Sequence, residues 1–412
     1  MEFTTIKPKS LKRGKRSADI TTLDLNRAKR PFPIIVHSHL GWDWVWQRPQ
    51  QFHSRLSQRH PILFVEGPRP NDQITSANVT LREVEAYPNI VVLQMEMPAS
   101  RWSDGAWVDQ ERRRLVKSVL AGPLGQRFEN PVQWFYDPMA VTAFAGHMNE
   151  DAIVYDCMDE LSQFRGAPPE LIRRERELLA VADVVFGGGP KLAQAKRPYH
   201  KNVYSYGCGV DVKHFAKARH ARTAVPADVA HLSGPTLGYF GVVDERLDYE
   251  LLAHLADRNP EWNVVIVGPW TKVDRGAFPE RANLHWLGGR DYAALPSYVK
   301  KFDVCLMPFA INEATEFINP TKALEYMAGG RPIVSTPVED VVLQFDHVVE
   351  IADSRDAFVR ACEQAIGSPD GDKIKGGLKL ARQNSWESIV SQLERHVEDV
   401  LTTEPSVATT AA

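Results

Sequence analysis

The amino-acid sequence predicts an α/β protein built from two doubly wound domains that face each other across a cleft. Three observations predict it. Short apolar runs rich in Val, Ile and Leu recur without the alternation of a half-exposed strand, which marks parallel strands buried on both faces. Between them lie segments of helical periodicity, such as Glu170 to Ala182 with Leu171, Leu178 and Leu179. The alternation runs in two series separated by a polar, weakly periodic stretch, so it describes two sheets rather than one.

In chain order, the first series is PIIVHSHL (33–40), PILFVEGP (61–68), NIVVLQM (89–95), VQWFYDP (132–138), AIVYDCMD (152–159) and ADVVFGGG (182–189). The second is TLGYFG (236–241), WNVVIVGP (262–269), NLHWLGG (283–289), DVCLMPF (303–309) and RPIVST (331–336). The division follows: a mobile basic arm over 1–32, a first domain over 33–212, a linker over 213–235 and a second domain over 236–384. A helix over 385–402 and a small-residue tail over 403–412 complete it. Ligands of such sheets sit beyond the carboxyl ends of the strands.

Composition narrows the function. The 412 residues carry 49 Lys+Arg against 52 Asp+Glu, a net charge of −3, which argues against a dedicated nucleic-acid binder. No apolar run is long enough to span a bilayer, and nothing apolar follows the basic N-terminus as a secretory signal requires. Cys157, Cys208, Cys305 and Cys362 form no CxxC pair, so a structural zinc or a disulfide framework is not expected, and a reducing cytoplasm suits them. The arm holds nine Lys/Arg between Lys7 and Arg30, a solvated tail with weak contact to an anionic membrane as its alternative.

The most informative run is INPTKALEYMAGGRPIVST (318–336). Asn319 is a good N-cap and Pro320 suits the first helical position, while Gly329-Gly330 ends the helix. A helix N-terminus offers free N–H groups and a positive dipole end to a phosphate. Thr321 and Lys322 stand at that end, Lys322 as a point charge, and the Glu325 carboxylate three residues on can accept both hydroxyls of a ribose. A plain surface helix with a Lys–Glu pair is the alternative reading of the same spacing.

The pattern N-P-x-K-x-x-E-Y-M-A-x-G-x-P-I-V-S-T resembles the nucleotide-sugar helix of GT-B glycosyltransferases, the glycosyl transferases group 1 that include glycogen and sucrose synthases. Many relatives have two glutamates eight residues apart here. The second maps to Glu325, and Phe317 stands where the first would be, which is closer to bacterial polysaccharide enzymes such as teichuronic-acid and xanthan glucuronosyl transferases. The resemblance extends to GYFGVVDERLDYELL (238–252), where Gly238 and Gly241 let backbone amides approach a diphosphate and Arg246 adds charge, with pairing to Asp244 or Asp248 as the alternative. It implies that Gly288, Gly289 and Arg290 line the nucleobase pocket, and Gly268 counts among the substrate-binding residues. GCGVDVKHF (207–215) and SWESIVSQLERHVEDVL (385–401) are similar to the family's interdomain signature and its terminal crossing helix. The implied fold is GT-B, two Rossmann-like domains. The implied co-substrate is a nucleoside-diphosphate sugar, with no cofactor and no metal required.

In the first domain, HSHLGWDWVWQRPQQF (37–52) resembles the opening loop of the same bacterial subgroup. Trp42, Trp44 and Trp46 suit stacking on sugars or on a lipid headgroup and Arg48 suits a phosphate, with packing anchors as the alternative for two of the tryptophans. His37 and His39 share a strand face, but no third metal ligand is evident. Asp156, Asp159 and Glu160 end a strand where a carboxylate can take the proton of an attacking hydroxyl, Asp159 being favoured over Asp156. Helix capping is the alternative for each. Arg112, Arg113 and Arg114, behind Trp102 and Trp107, read as a solvated helix face or as contacts to an anionic lipid-linked acceptor.

The expected activity is transfer of a sugar from a nucleoside-diphosphate sugar to a glycan or lipid-linked acceptor, in polysaccharide or cell-envelope glycan biosynthesis. Two alternatives stay open: a nucleotide-sugar 2-epimerase of the same fold, and a non-catalytic nucleotide-sugar-binding partner. A nicotinamide-dependent dehydrogenase fits poorly, because the second series opens with G-Y-F-G rather than G-x-G-x-x-G.

Overall fold

The computed structural model describes residues 31–43, 46–164, 166–271, 273–312, 315 and 321–403. Of the expected features, the arm up to residue 30, Trp44, Phe317, Asn319, Pro320 and the tail from 404 lie outside the described residues. The described chain forms two compact units. One comprises residues through Phe186, Lys196–Tyr204 and those from Gln392 on; the other comprises Gly187–Ala195 and Ser205–Ser391.

The first unit is built on the strands β1 (Ile34–Ser38), β2 (Ile62–Glu66), β3 (Arg69–Asn71), β4 (Asn78–Glu83), β5 (Ile90–Pro98), β6 (Val132–Phe135), β7 (Ala152–Cys157), β8 (Val184–Gly187) and β9 (Val203–Ser205). Their order is β3-β5-β2-β1-β6-β7-β8-β9, with β4 antiparallel on β5. β1 is central, pairing Ile34 with Ile62 on one side and with Val132 on the other. Every residue of β1, β2, β6 and β7 is buried, as unbroken apolar runs covered on both faces require. The helices α1 (Arg48–Leu56), α2 (Gly105–Leu120) and α3 (Leu171–Val181) belong to this unit. Phe32, assigned to the arm from sequence, is instead buried against His60, with ring centroids 3.9 Å apart.

The second unit is built on β10 (Thr236–Phe240), β11 (Asn263–Val267), β12 (Leu284–Trp286), β13 (Val304–Met307), β14 (Ile333–Ser335) and β15 (Glu350–Ile351), all parallel, in the order β12-β11-β10-β13-β14-β15. The strand order reverses at β1 in one sheet and at β10 in the other, and such switch points are where doubly wound sheets hold ligands. Helix α4 (Lys322–Gly329) follows β13 and stops at Gly330, whose φ is +69°. Residues 213–235, expected as a linker, carry short helices whose Phe215, Ala218 and Val229 are buried in the second unit's core. The last helix, α5 (Trp386–Thr402), begins among second-unit residues and continues into the first. Among the described residues, no helix is long and apolar enough to cross a membrane.

Candidate active site

In the second unit the loop after β10 and the start of α4 meet closely. Gly241 has φ +149°, and a Cβ there would lie 2.3 Å from Lys322 Cε. A Cβ on Gly268, after β11, would fall 1.7 Å from the Gly241 carbonyl oxygen. The absence of two side chains thus lets two strand-end backbones and a lysine share one small volume. Gly238 is a different case, because the Phe302 ring fills the place of its missing Cβ and serves packing rather than access.

Helix α4 begins at Lys322 with Thr321 at the N-cap position, whose carbonyl accepts from Glu325 N at 3.2 Å. Neither the Lys322 ammonium nor the Glu325 carboxylate has a hydrogen bond or ion pair with any described residue, so the Lys–Glu pair of the alternative reading is not formed. Burial pushes the Lys322 pKa down and the Glu325 pKa up, each opposed by the charge of the other. Two unpartnered, desolvated groups at a helix start are poised for a ligand that supplies the missing contacts.

Arg246 grips Asp244, donating from Nε at 2.8 and 3.1 Å and from Nη2 at 2.6 Å, which leaves Nη1 for another acceptor. It still acts on the site, because its charge helps to lower the Lys322 pKa. Arg290 does not line an open pocket as expected. Its Nη2 donates to Asp228 at 2.9 Å, its Nε to Tyr298 Oη at 2.8 Å, and its Nη1 to the Leu287 and Gly289 carbonyls, so its donors are already used. At Gly289 an added Cβ would meet Pro269 at an ordinary 3.8 Å, so that position does not demand glycine.

The first unit holds a cavity of about 950 Å³ at the carboxyl ends of its central strands. Its lining includes His39 after β1, Gly67 after β2, Asp137 after β6 and Asp159 after β7. Burial raises the Asp159 pKa to about 6, countered by the Arg48 charge, and its carboxylate has no hydrogen bond or ion pair to a described residue. Asp156, paired with it from sequence, is a different group. It is fully buried, accepts from Arg48 Nε at 2.8 Å and from Trp134 Nε1 at 3.4 Å, and is sealed from substrate. The same contact corrects Arg48, which is 3% exposed and serves as a buried counter-ion rather than a phosphate ligand.

The other first-domain expectations divide in the same way. Trp42 is 3% exposed and packs edge-on to Phe64, a core anchor, whereas Trp46 is 43% exposed. His37 is buried and bonded to Gln133 at 2.7 Å, apart from His39 in the cavity wall. Glu160 pairs with the buried Lys196 at 2.7 Å. Sequence reasoning missed Asp137 and the Met139 and Met158 wall. The DP and CMD ends of β6 and β7 were the only signals for them.

The two doubly wound sheets have the GT-B fold of the solved structures they superpose on, and residues 235–368 match the family model described as Glycosyl transferases group 1. Over 270 residues the chain is 24% identical to TuaH of Bacillus subtilis (strain 168), described as a teichuronic acid biosynthesis glycosyltransferase. That match covers 60% of this chain and 66% of the relative, just under two thirds of its length. Among solved structures, sucrose-phosphate synthase of Thermosynechococcus elongatus superposes with a TM-score of 0.64 at 17% identity, covering 90% of this chain and all of that one. The E. coli trehalose-6-phosphate structure bound with UDP-2-fluoro glucose gives 0.63 at 13% identity, with coverage of 90% and 100%. At these identities the likeness is one of fold.

Proposed function

We propose that this chain is a glycosyltransferase. It moves a sugar from a nucleoside-diphosphate sugar to a glycan or lipid-linked acceptor in polysaccharide or cell-envelope glycan synthesis, in the cytoplasm and in weak contact with an anionic membrane face. The observation that carries this reading is the unpartnered Lys322 and Glu325 pair at the start of α4, packed against the Gly241–Gly268 backbone. The α4 N-terminus, Thr321 and Lys322 face the diphosphate, and Glu325 accepts from the ribose hydroxyls.

During transfer an acceptor oxygen bonds to the anomeric carbon as the bond to the β-phosphate oxygen breaks, and the nucleoside diphosphate leaves with the electron pair. Lys322, the helix dipole and the remaining Arg246 donor stabilise the charge that builds there, so the reading requires no metal. If the sugar inverts, Asp159 takes the acceptor proton; if it is retained, the departing diphosphate takes it.

The test is a thermal-shift panel of UDP, GDP, TDP, ADP and NAD on the wild type, Lys322→Ala and Glu325→Ala. One nucleoside diphosphate should raise the midpoint in the wild type and lose its effect in both variants. A shift with NAD alone, or one indifferent to both substitutions, refutes the placement. Release of that nucleotide from its sugar, only when acceptor is added and undiminished by a chelator, separates a transferase from an epimerase or a silent binder.

A further inference from the structure

The charge arrangement around the first-unit cavity states what kind of acceptor it admits. Among the described residues that line it are three arginines, and each is already neutralised. Arg69 Nη2 donates to Glu66 at 2.9 Å. Arg174 Nη2 donates to Asp109 at 2.7 Å, and Arg112 Nη2 lies 3.4 Å from Asp137. Arg112 and Arg174 also each donate Nη1 to the Met139 carbonyl, at 3.2 and 2.9 Å. The neighbours on α2 are no freer: Arg113 donates to the carbonyls of Ala143 and Thr142, and Arg114 to Glu111. The alternative reading of these arginines as contacts to an anionic lipid-linked acceptor therefore finds no support on this helix.

The lining charges left without a partner are acidic, Asp159 and the exposed Glu170. His39 adds no positive charge at neutral pH, because burial lowers its pKa. An incoming phosphate or carboxylate thus meets uncompensated carboxylates, and guanidiniums that each already face an acid. Beside the polar Gln47 and Ser103, much of the rest of the wall is apolar or aromatic, with Trp102 41% exposed and Phe164 57% exposed, together with Met139 and Met158. An exposed indole beside hydrogen-bond acceptors suits a pyranose, whose C–H face packs on the ring while its hydroxyls donate to the carboxylates.

We propose that this cavity takes the uncharged sugar end of a growing glycan and excludes a phosphate-bearing acceptor head. The proposal deepens the transferase reading and rests on it for the word acceptor. It also places the reaction: the step that supplies this substrate is itself a glycosyl transfer, which has already put a neutral sugar at the growing end. The chain then elongates a glycan rather than charging a bare lipid phosphate.

The experiment is isothermal titration of the full chain at low salt. The neutral probes are hexyl β-D-glucopyranoside, hexyl β-D-galactopyranoside and hexyl N-acetyl-β-D-glucosaminide; the anionic probe is geranyl phosphate. The expected result is that at least one hexyl glycoside binds ten-fold or more tightly than geranyl phosphate. Trp102→Ala should weaken that glycoside about ten-fold, and Glu170→Lys should strengthen geranyl phosphate several-fold while leaving the glycoside alone. Geranyl phosphate binding as tightly as every glycoside, no glycoside binding, or glycoside binding that survives Trp102→Ala overturns the proposal. Nucleotide shifts on the same samples keep the two readings apart. Glycoside binding without any nucleotide shift sinks the donor assignment alone, and a nucleotide shift with a preference for geranyl phosphate sinks the cavity assignment alone.

Discussion

Asp156 and Asp159 are three residues apart and chemically unlike. Asp159 faces the cavity with its pKa near 6 because burial disfavours its charge. Its folded pKa lies above the ~3.9 of an unfolded aspartate, so the folded state favours the protonated form. The stability it contributes is fully present below pH ~4 and lost as pH rises through about 6. Asp159→Asn should therefore stabilise the protein at pH 7.5 by about 2–3 kcal/mol in urea titrations, with no gain at pH 4. Should Asp159 be the base, the same variant loses turnover, and wild-type kcat/KM falls below pH 6. Asp156→Ala should do the opposite to stability, costing about 3–5 kcal/mol by removing the buried carboxylate to which the buried Arg48 Nε donates. The residue types at these positions were legible in the sequence; their roles were not, because the Arg48–Asp156 contact spans 108 residues and no local pattern announces it.

Among elements, the strands that were legible are those covered on both faces, β1 to β14 wherever an apolar run exists. β4, with the sequence NVTLRE and mostly exposed, gave no such signal, since an antiparallel edge needs no buried run. The end of α4 was legible from its glycines. Its described part starts at Lys322, and the expected start at Asn319 and Pro320 lies outside the described residues. The Gly241–Gly268 approach was only half legible, because sequence shows a glycine but not the backbone it must clear. Gly268→Ala should thus be worse than Gly241→Ala. A Cβ at Gly268 strikes a carbonyl, whereas at Gly241 it meets chiefly the movable tip of Lys322, although the positive φ still strains it. Both should lose nucleotide-induced stabilisation, with the larger drop in midpoint for Gly268→Ala, as differential scanning fluorimetry would read.

At the scale of the whole molecule, two units with separate sheets predict a local response to ligand. In hydrogen exchange, the nucleoside diphosphate that raises the midpoint should slow amides near 241–246 and 321–326 and leave the cavity loops of the first unit largely unchanged. Uniform slowing across both units would contradict a donor site confined to the second. The division was legible from the two series of strands, and the crossing of α5 to the first unit only from the family resemblance, because helical periodicity says nothing about which sheet a helix covers. That membership bears on how the protein is made. His60, at the end of the first crossover, bonds Glu394 at 2.6 Å across a sequence separation of 334, and Arg59 reaches the same carboxylate at 2.7 Å. At ~5–20 residues per second, the ribosome delivers Glu394 roughly 15–70 s after His60. A nascent first unit must spend that interval with its β1–β2 flank uncapped, so the window for chaperone engagement is written into the order of the chain.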